Sequence, residues 1–316
     1  MRRSAISWLV VFAMLIGGFV ASIAALNADL YSAHGFVRTY LDALARKDSA
    51  AALAIPGVAV EGDDGLLNDA TLGTLTTLDL VRDTENADGT HTVVFDYAIG
   101  GEAGRSEFHV QHSGTRFGVF NDWSFVASPI STVAVTVKND DHFEVNGTEL
   151  DEAGAYLVFT PGLYVVGHES TFLTAEPAPV AMTEPGTIVD AAITVKANDE
   201  FVSTVQSEVD GYLEDCAAQK VLQPTGCPFG FRVQDRIVSP PTWTIVQQPQ
   251  VAVDPNGAGW MIPQAEAMAR IDVDIRSLFD GTIDQVVEDV PFVVTGSIEI
   301  LPDGSASITV SGIDPL

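Results

Sequence analysis

Basic residues and cysteine are what this chain has least of. Its 316 residues include 15 Lys plus Arg against 43 Asp plus Glu, and the lysines are only Lys47, Lys138, Lys196 and Lys220. A surface this acidic repels phosphate backbones and anionic headgroups, which excludes nucleic acid and polybasic lipid docking as modes of binding. It favours solubility and would tolerate divalent cations or a basic partner. No lysine has Ser or Thr three residues before it, and Gly-x-Ser-x-Gly does not occur. Two signatures of serine acyl transfer are therefore missing.

Cysteine is limited to Cys216 and Cys227. Their spacing is far from Cys-x-x-Cys, and too few Cys or His surround them for a metal site. In an oxidising compartment they form a local disulfide, closing a loop of about a dozen residues and contributing roughly 3 kcal/mol. That leaves no thiol nucleophile. Six histidines are scattered without a His-Glu-x-x-His. His109 and His112 lie on a segment that reads as strand, where odd spacing sends them to opposite faces and prevents a shared metal. No cofactor and no metal are expected.

Charge is also absent from Ser4 to Leu26, and the first acid after this run is Asp29. The run is long enough to cross ~30 Å of hydrocarbon, with Trp8 placed to sit at an interface. Arg2 and Arg3 precede it and no basic residue follows until Arg38. The reading is a transmembrane signal anchor at 4–26, a cytoplasmic stub at 1–3, and an extracytoplasmic remainder. The other reading is a cleaved secretory signal with Ser22-Ile23-Ala24 at the cut, although the apolar run exceeds the usual signal core. Both place the bulk of the chain outside, where it carries 13 basic and 43 acidic residues.

Beyond the anchor the chain reads as α+β. Phe36, Val37, Tyr40, Leu41 and Leu44 make one helical face, and Asp48 caps a second short helix, Ser49 to Ile55, that Pro56-Gly57 stops. Strands follow at Leu75–Val81, His91–Ile99, Arg105–His112 and Arg116–Val126, with turns at Asn86–Gly89, Gly100-Gly101 and Ser113-Gly114. Thr132–Val137 and Tyr156–Phe159 are strand-like around an Asn146-Gly147 turn, and Thr183–Gly186 is a joint. Past it, Phe201, Val202, Val205, Val209, Tyr212, Leu213 and Cys216 form a helical stripe started by Asn198 or Asp199. The remaining strands are Phe231–Val238, Trp243–Val246, Ala267–Ile275, Val290–Ile300 and Ser305–Val310, the last pair closed by Pro302-Asp303-Gly304.

FVRTYLDALARKDSAAALAI, with strands ending in FGVFNDWSFV, resembles the nuclear-transport-factor-two-like (cystatin-like cone) domains of bacterial envelope proteins over roughly residues 30–127. VNG followed by TPGLYVV resembles small β-sandwich modules in membrane-anchored envelope proteins of Gram-positive, actinobacterial-type cells. The order of parts is similar to the teicoplanin-resistance-associated membrane protein family. The resemblance implies a cone-like α+β domain at 29–127, a small β-sandwich module at 128–184 and a C-terminal α+β domain at 185–316.

Cone enzymes pair a His with an Asp or Tyr inside the cone. The members available are His91, Asp96, Tyr97 and His109. Alternation turns Asp96 away from its neighbours Phe95 and Tyr97, so the pocket candidates are His91, Tyr97 and His109. The acidic run Asn139–Glu144 with Asp151-Glu152 lacks the spacing of a calcium loop and reads as an exposed turn. Trp243 and Trp260, beside Pro240-Pro241 and Gly257/Gly259, are either core plugs or an exposed aromatic surface. With no nucleophile, metal or phosphate motif, the leading expectation is a non-catalytic binding or assembly module in the cell envelope. Its partners would be the membrane through the N-terminal helix and an envelope protein or wall polymer. The alternatives are a ligand-binding or weakly enzymatic cone and a passive spacer.

Overall fold

The computed structural model describes residues 2–257, 259–301 and 303–313. It is mostly β, with 48% strand against 19% helix, so the α+β expectation understates the sheets. Helix α1 (Arg2–Ala28) contains the whole apolar run expected to anchor the chain. Its segment Val11–Ala28 is long and apolar enough to cross a membrane, and none of that segment is buried within the fold. The remaining chain forms two compact units interleaved along the sequence. The first runs to Val137 and takes Asp141–Gly167 and Pro177–Ile193; the second takes Lys138–Asp140, His168–Glu176 and the chain from Thr194 on.

In the first unit, Ser32 caps α2 (Ala33–Ala45) by accepting a hydrogen bond from Gly35 N at 3.0 Å. Asp48 caps α3 (Ser49–Leu53) in the same way through Ala51 N at 2.9 Å. Strands β1 (Leu75–Glu85), β2 (Thr90–Ile99), β3 (Glu102–Arg116) and β4 (Phe120–Phe125) form a four-stranded antiparallel meander in chain order. The turn expected at Ser113-Gly114 is instead an irregularity inside β3, where the register shifts between His112 and Gly114, and the chain reverses at Phe117-Gly118. An extra residue opposite β4 is absorbed as a bulge without ending the ladder.

The apolar face of α2 covers this sheet. Val37, Tyr40, Leu41 and Leu44 pack with Val93, Phe95, Phe108, Val110 and Phe125, all buried. The space between helix and sheet is filled by rings: Tyr40 meets Phe108 and Phe125 edge-on at centroid distances of 6.2 and 5.3 Å. Phe117 and Phe120 take no part in this filling; Phe117 is exposed and Phe120 stacks on Tyr31.

Ile130, Leu157 and Phe159 belong to the same buried cluster. They come from β5 (Ile130–Lys138) and β8 (Ala155–Phe159), which with β11 (Ile188–Thr194) make a three-stranded sheet. The Tyr40 hydroxyl lies 3.0 Å from Thr160 O and 3.1 Å from Pro129 O, tying α2 to this layer. Burial pushes that phenol well above its ordinary range, the buried Tyr164 adds to the rise, and the bond to Thr160 opposes it. The divisions expected at 127/128 and at Thr183–Gly186 both fall inside this unit, where Gly186 N donates to Ile130 O at 3.0 Å. Strands β6 (Phe143–Val145) and β7 (Thr148–Leu150) join through Asn146-Gly147, and β6 pairs with β9 (Gly162–Glu169), the neighbour of β10 (Leu173–Met182).

In the second unit, Leu173 and Thr174 of β10 pair with β12 (Lys196–Ala197). Helix α4 (Asp199–Ala217) starts on Asn198, which accepts from Phe201 N at 2.9 Å, and buries Phe201, Val205, Val209, Leu213 and Cys216. Cys216 and Cys227 are disulfide-bonded, as the spacing implies. The strand expected at Phe231–Val238 shrinks to β13 (Arg236–Ile237). Upstream of it the disulfide and the bond from Tyr212 Oη to Gly226 O at 2.6 Å hold an irregular loop. The sheet runs β13, β16 (Gly259–Arg276), β17 (Ile283–Ile300), β18 (Ala306–Ile313), with β14 (Thr242–Gln247) and β15 (Asp254–Asn256) also on β16. Of the expected turn Pro302-Asp303-Gly304, Pro302 lies outside the described residues, and Gly304 N closes on Leu301 O at 2.8 Å.

Candidate functional site

Three titratable side chains of the first unit, Asp83, His34 and His91, meet at one end of the meander. Asp83, near the end of β1, stands between two imidazoles. Nδ1 of His91 donates to its Oδ1 at 2.7 Å, and Nδ1 of His34, in the first turn of α2, donates to Oδ2 at 2.9 Å. The backbone N of His34 reaches the same oxygen at 3.3 Å. All three side chains are half-buried. Burial acts to raise the Asp83 pKa; the hydrogen bonds from His91 and His34, with the charge of both rings when protonated, outweigh it and hold the carboxyl below its ordinary range. The Trp123 ring meets His91 edge-on at 4.9 Å and His112 at 5.7 Å, and its Nε1 donates to Tyr31 O at 2.9 Å.

Asp83 orients both imidazoles through their Nδ1 atoms, which is the orienting half of acid–base machinery. A second carboxylate, Asp29, lies 3.9 Å from His34 Nε2. Among the described residues no hydroxyl is hydrogen-bonded to either imidazole, and no group of three His, Cys, Asp or Glu is placed to hold a metal. What the cluster does visibly is pin the start of α2 to the β1–β2 hairpin through a charge-responsive contact.

Of the pocket candidates, His91 belongs to this cluster and the other two do not. Tyr97 is buried on the same face of β2, six residues further along, or about 20 Å at strand rise. Its hydroxyl is 2.9 Å from Ser106 Oγ, which donates to Thr183 O at 2.5 Å. Burial raises the Tyr97 phenol, against the opposing bond to Ser106. His109 points to the other face and is exposed, its Nδ1 3.3 Å from Thr92 Oγ1 and its Nε2 3.4 Å from Glu107. The three therefore do not converge, because strand alternation separates His109 and distance separates Tyr97. Asp96 faces outward to Arg105 at 2.5 Å, as alternation requires.

Trp243 and Trp260 do not form an exposed aromatic surface; they are 4% and 5% exposed. Trp243 packs on Phe229 and donates to Val221 O at 2.8 Å, while Trp260 meets Phe201 edge-on, so both plug the second unit's core. An open recess of about 250 Å³ between β14, β16 and β17 holds Glu266 as its one ionisable side chain. In the acidic run, Asn139 Nδ2 donates to Val195 O at 3.0 Å, and His142 lies 3.9 Å from Asp151.

His34 and Asp83 escaped sequence reasoning. A hairpin turning at Asn86–Gly89 places Asp83 diagonally across from His91, so that pair was recoverable from register alone. His34 arrives from a helix and leaves no local signal. Compared with protein-family models, curated proteins and solved structures, the chain matches none.

Proposed function

We propose that the chain is a single-pass, membrane-anchored extracytoplasmic protein whose outer part binds a protein of the cell envelope without chemistry of its own. The apolar α1 is compatible with an anchor, and the disulfide suits an oxidising compartment. The layout that resembles teicoplanin-resistance-associated envelope proteins supports the same reading. The observation that carries it is the tip of the β16–β17 hairpin. Leu278 and Phe279 are 72% and 99% exposed there, with Ile283 and Val287 exposed along the strand behind them. Large apolar side chains grouped on a protruding hairpin mark an interaction surface. Asp280 and Asp284 border them, so a complementary partner presents an apolar pocket rimmed by basic residues.

A photo-crosslinking residue at Phe279 tests this in cells, with another at Asp303 as control. A single envelope partner should be captured from position 279, and Leu278→Asp with Phe279→Asp should cut capture by tenfold or more, in line with loss of a central apolar anchor worth about 2 kcal/mol. Capture no higher than from position 303 would overturn the proposal.

A second reading, a weakly enzymatic or ligand-binding site, draws on one observation, the oriented His34–Asp83–His91 cluster. It requires that a small molecule raise the thermal stability of the protein and that His91→Ala abolish the rise.

A further inference from the structure

The turn that ends β3 departs from the chemistry its backbone favours. Phe117 and Gly118 both take positive φ, 52° and 73°, and Val119 N donates to Arg116 O at 3.3 Å. Two left-handed residues inside such a turn favour Asn-Gly, because a bulky side chain at positive φ crowds its own backbone. The same unit follows this rule at the β6–β7 turn, where Asn146 and Gly147 sit at 48° and 81°. At the β3–β4 turn the place of asparagine is held by a phenylalanine, and it is 87% exposed. Backbone strain and apolar exposure act together against this residue, and nothing inside the fold compensates. Val119 beside it and Leu30, two residues past the end of α1, are exposed as well.

What lies beside the turn decides what covers it. Asn27, in the last turn of α1, donates from Nδ2 to Val119 O at 2.8 Å and accepts from Asn121 N at 3.0 Å. Tyr31 stacks on Phe120 with ring centroids 4.5 Å apart. The hairpin is thus tied to the end of the apolar helix itself. From Trp8 to Asn27 the helix rises about 29 Å at ~1.5 Å per residue, close to the ~30 Å of a hydrocarbon core. With Trp8 at one interface, Asn27 reaches the other, and a turn hydrogen-bonded to Asn27 is held at headgroup depth. Aromatic side chains are favoured at that depth.

We infer that the Phe117-Gly118-Val119 turn inserts into the outer interface of the bilayer that α1 crosses, with Phe117 as its apolar wedge. The inference rests on α1 spanning the membrane. Recognition is by the apolar–polar boundary of the lipid and not by headgroup charge, since Arg116 is engaged with Asp122 at 3.3 Å. Two attachment points, helix and turn, set the tilt of the first unit. They also bring the His34–Asp83–His91 cluster to the membrane-proximal end of the unit, because Asp29, two residues past Asn27, lies 3.9 Å from His34 Nε2.

The test uses the full-length chain in phosphatidylcholine vesicles. An environment-sensitive fluorophore is placed through Val119→Cys, with Glu102→Cys at the opposite end of the sheet and Leu15→Cys in mid-helix as references. Lipids carry a spin-label quencher either near the headgroup or near the chain end. The probe at 119 should shift to the blue and be quenched by the shallow label about twofold or more beyond the probe at 102, as burial at the headgroup boundary requires. Adding Phe117→Asp should return it to the level at 102. Quenching at 119 equal to that at 102 overturns the inference, and so does a blue shift without quenching, which would mean that a protein surface covers the turn. A probe at 15 that escapes the deep label would instead bring down the spanning helix, which separates failure of the anchor from failure of the turn.

Discussion

The two compact units are stabilised in different ways, and the contrast shows where each can act. In the first, a helix lies on a four-stranded sheet over Tyr40, Phe95, Phe108 and Phe125, and the buried hydroxyls of Tyr40 and Ser106 bond that layer to Thr160 O and Thr183 O. In the second, one helix and one disulfide serve the base of a hairpin whose outer half leaves the core. Phe292, Val294 and Ile298 of β17 are buried, whereas Ile283 to Glu288 are exposed or half-exposed. Each unit presents an exposed phenylalanine at a hairpin tip, Phe117 in one and Phe279 in the other. The first tip is bonded to the apolar helix, and the second is braced within its own unit, where Leu278 N donates to Asp235 Oδ1 at 3.1 Å and β13 pairs with the end of β16. A tip fixed at a membrane and a tip free to meet a partner are the uses these supports allow.

The contrast is broken most sharply by removing the disulfide. Cys216→Ser with Cys227→Ser should cost the second unit about 3 kcal/mol by the chain-entropy account, or roughly a hundredfold in hydrogen-exchange protection. Amides of Val205 and Val209 in α4 report that loss, and those of Val93 and Phe95 in β2 should keep their protection. Equal losses at both sets would show that the units do not unfold separately.

Much of this was legible in the sequence where local signals dominate. Asp48 and the Asn198-Asp199 pair marked the starts of their helices, Val37, Tyr40, Leu41 and Leu44 named a face, and Cys216–Cys227 named its own partner. Reading failed where a long-range contact decided the outcome. The bulge at His112–Gly114 let β3 run through a Ser-Gly pair that reads as a turn, and the disulfide loop denied Phe231–Asp235 a strand partner. Both tryptophans beside Pro and Gly could be read as exposed, but they pack against rings that folding brings to them: Phe229 against Trp243, Phe201 against Trp260. The candidate site was half visible, since His91 stood out while His34 is joined to it only by folding.

A smaller effect, confined to the first unit, comes from Asp83. Asp83→Ala leaves His34 and His91 without their shared acceptor, which should cost about 2 kcal/mol at neutral pH. The pH dependence has a definite sign. The folded carboxyl titrates below its unfolded value, so its contribution is complete above the ordinary carboxylate range and is lost as pH falls through the folded value. An acid titration followed through Trp123, whose ring touches His91 and His112, should therefore show an early loss of structure that Asp83→Asn flattens. Tryptophan signals from the second unit should not change between the two proteins. An unchanged acid limb in Asp83→Asn would assign the stability of this end to packing alone.

The smallest effect discriminates best between the two tips. Phe117→Asn gives the β3–β4 turn the residue that the β6–β7 turn already uses, relieving a left-handed phenylalanine that costs about 1 kcal/mol relative to asparagine. In a chain lacking α1, where no bilayer is at hand, this substitution should raise stability by about that amount. In the full-length chain within a bilayer it also removes an interfacial aromatic of similar worth, so the gain should vanish or change sign. Phe279→Asn should give the same small change in both settings, because Phe279 belongs to the other unit, where Asp235 braces its turn. The sign of one substitution at 117, measured with and without the membrane, separates strain kept for a purpose from strain that merely persists. An equal gain in both settings would mean that Phe117 contributes nothing at the membrane surface.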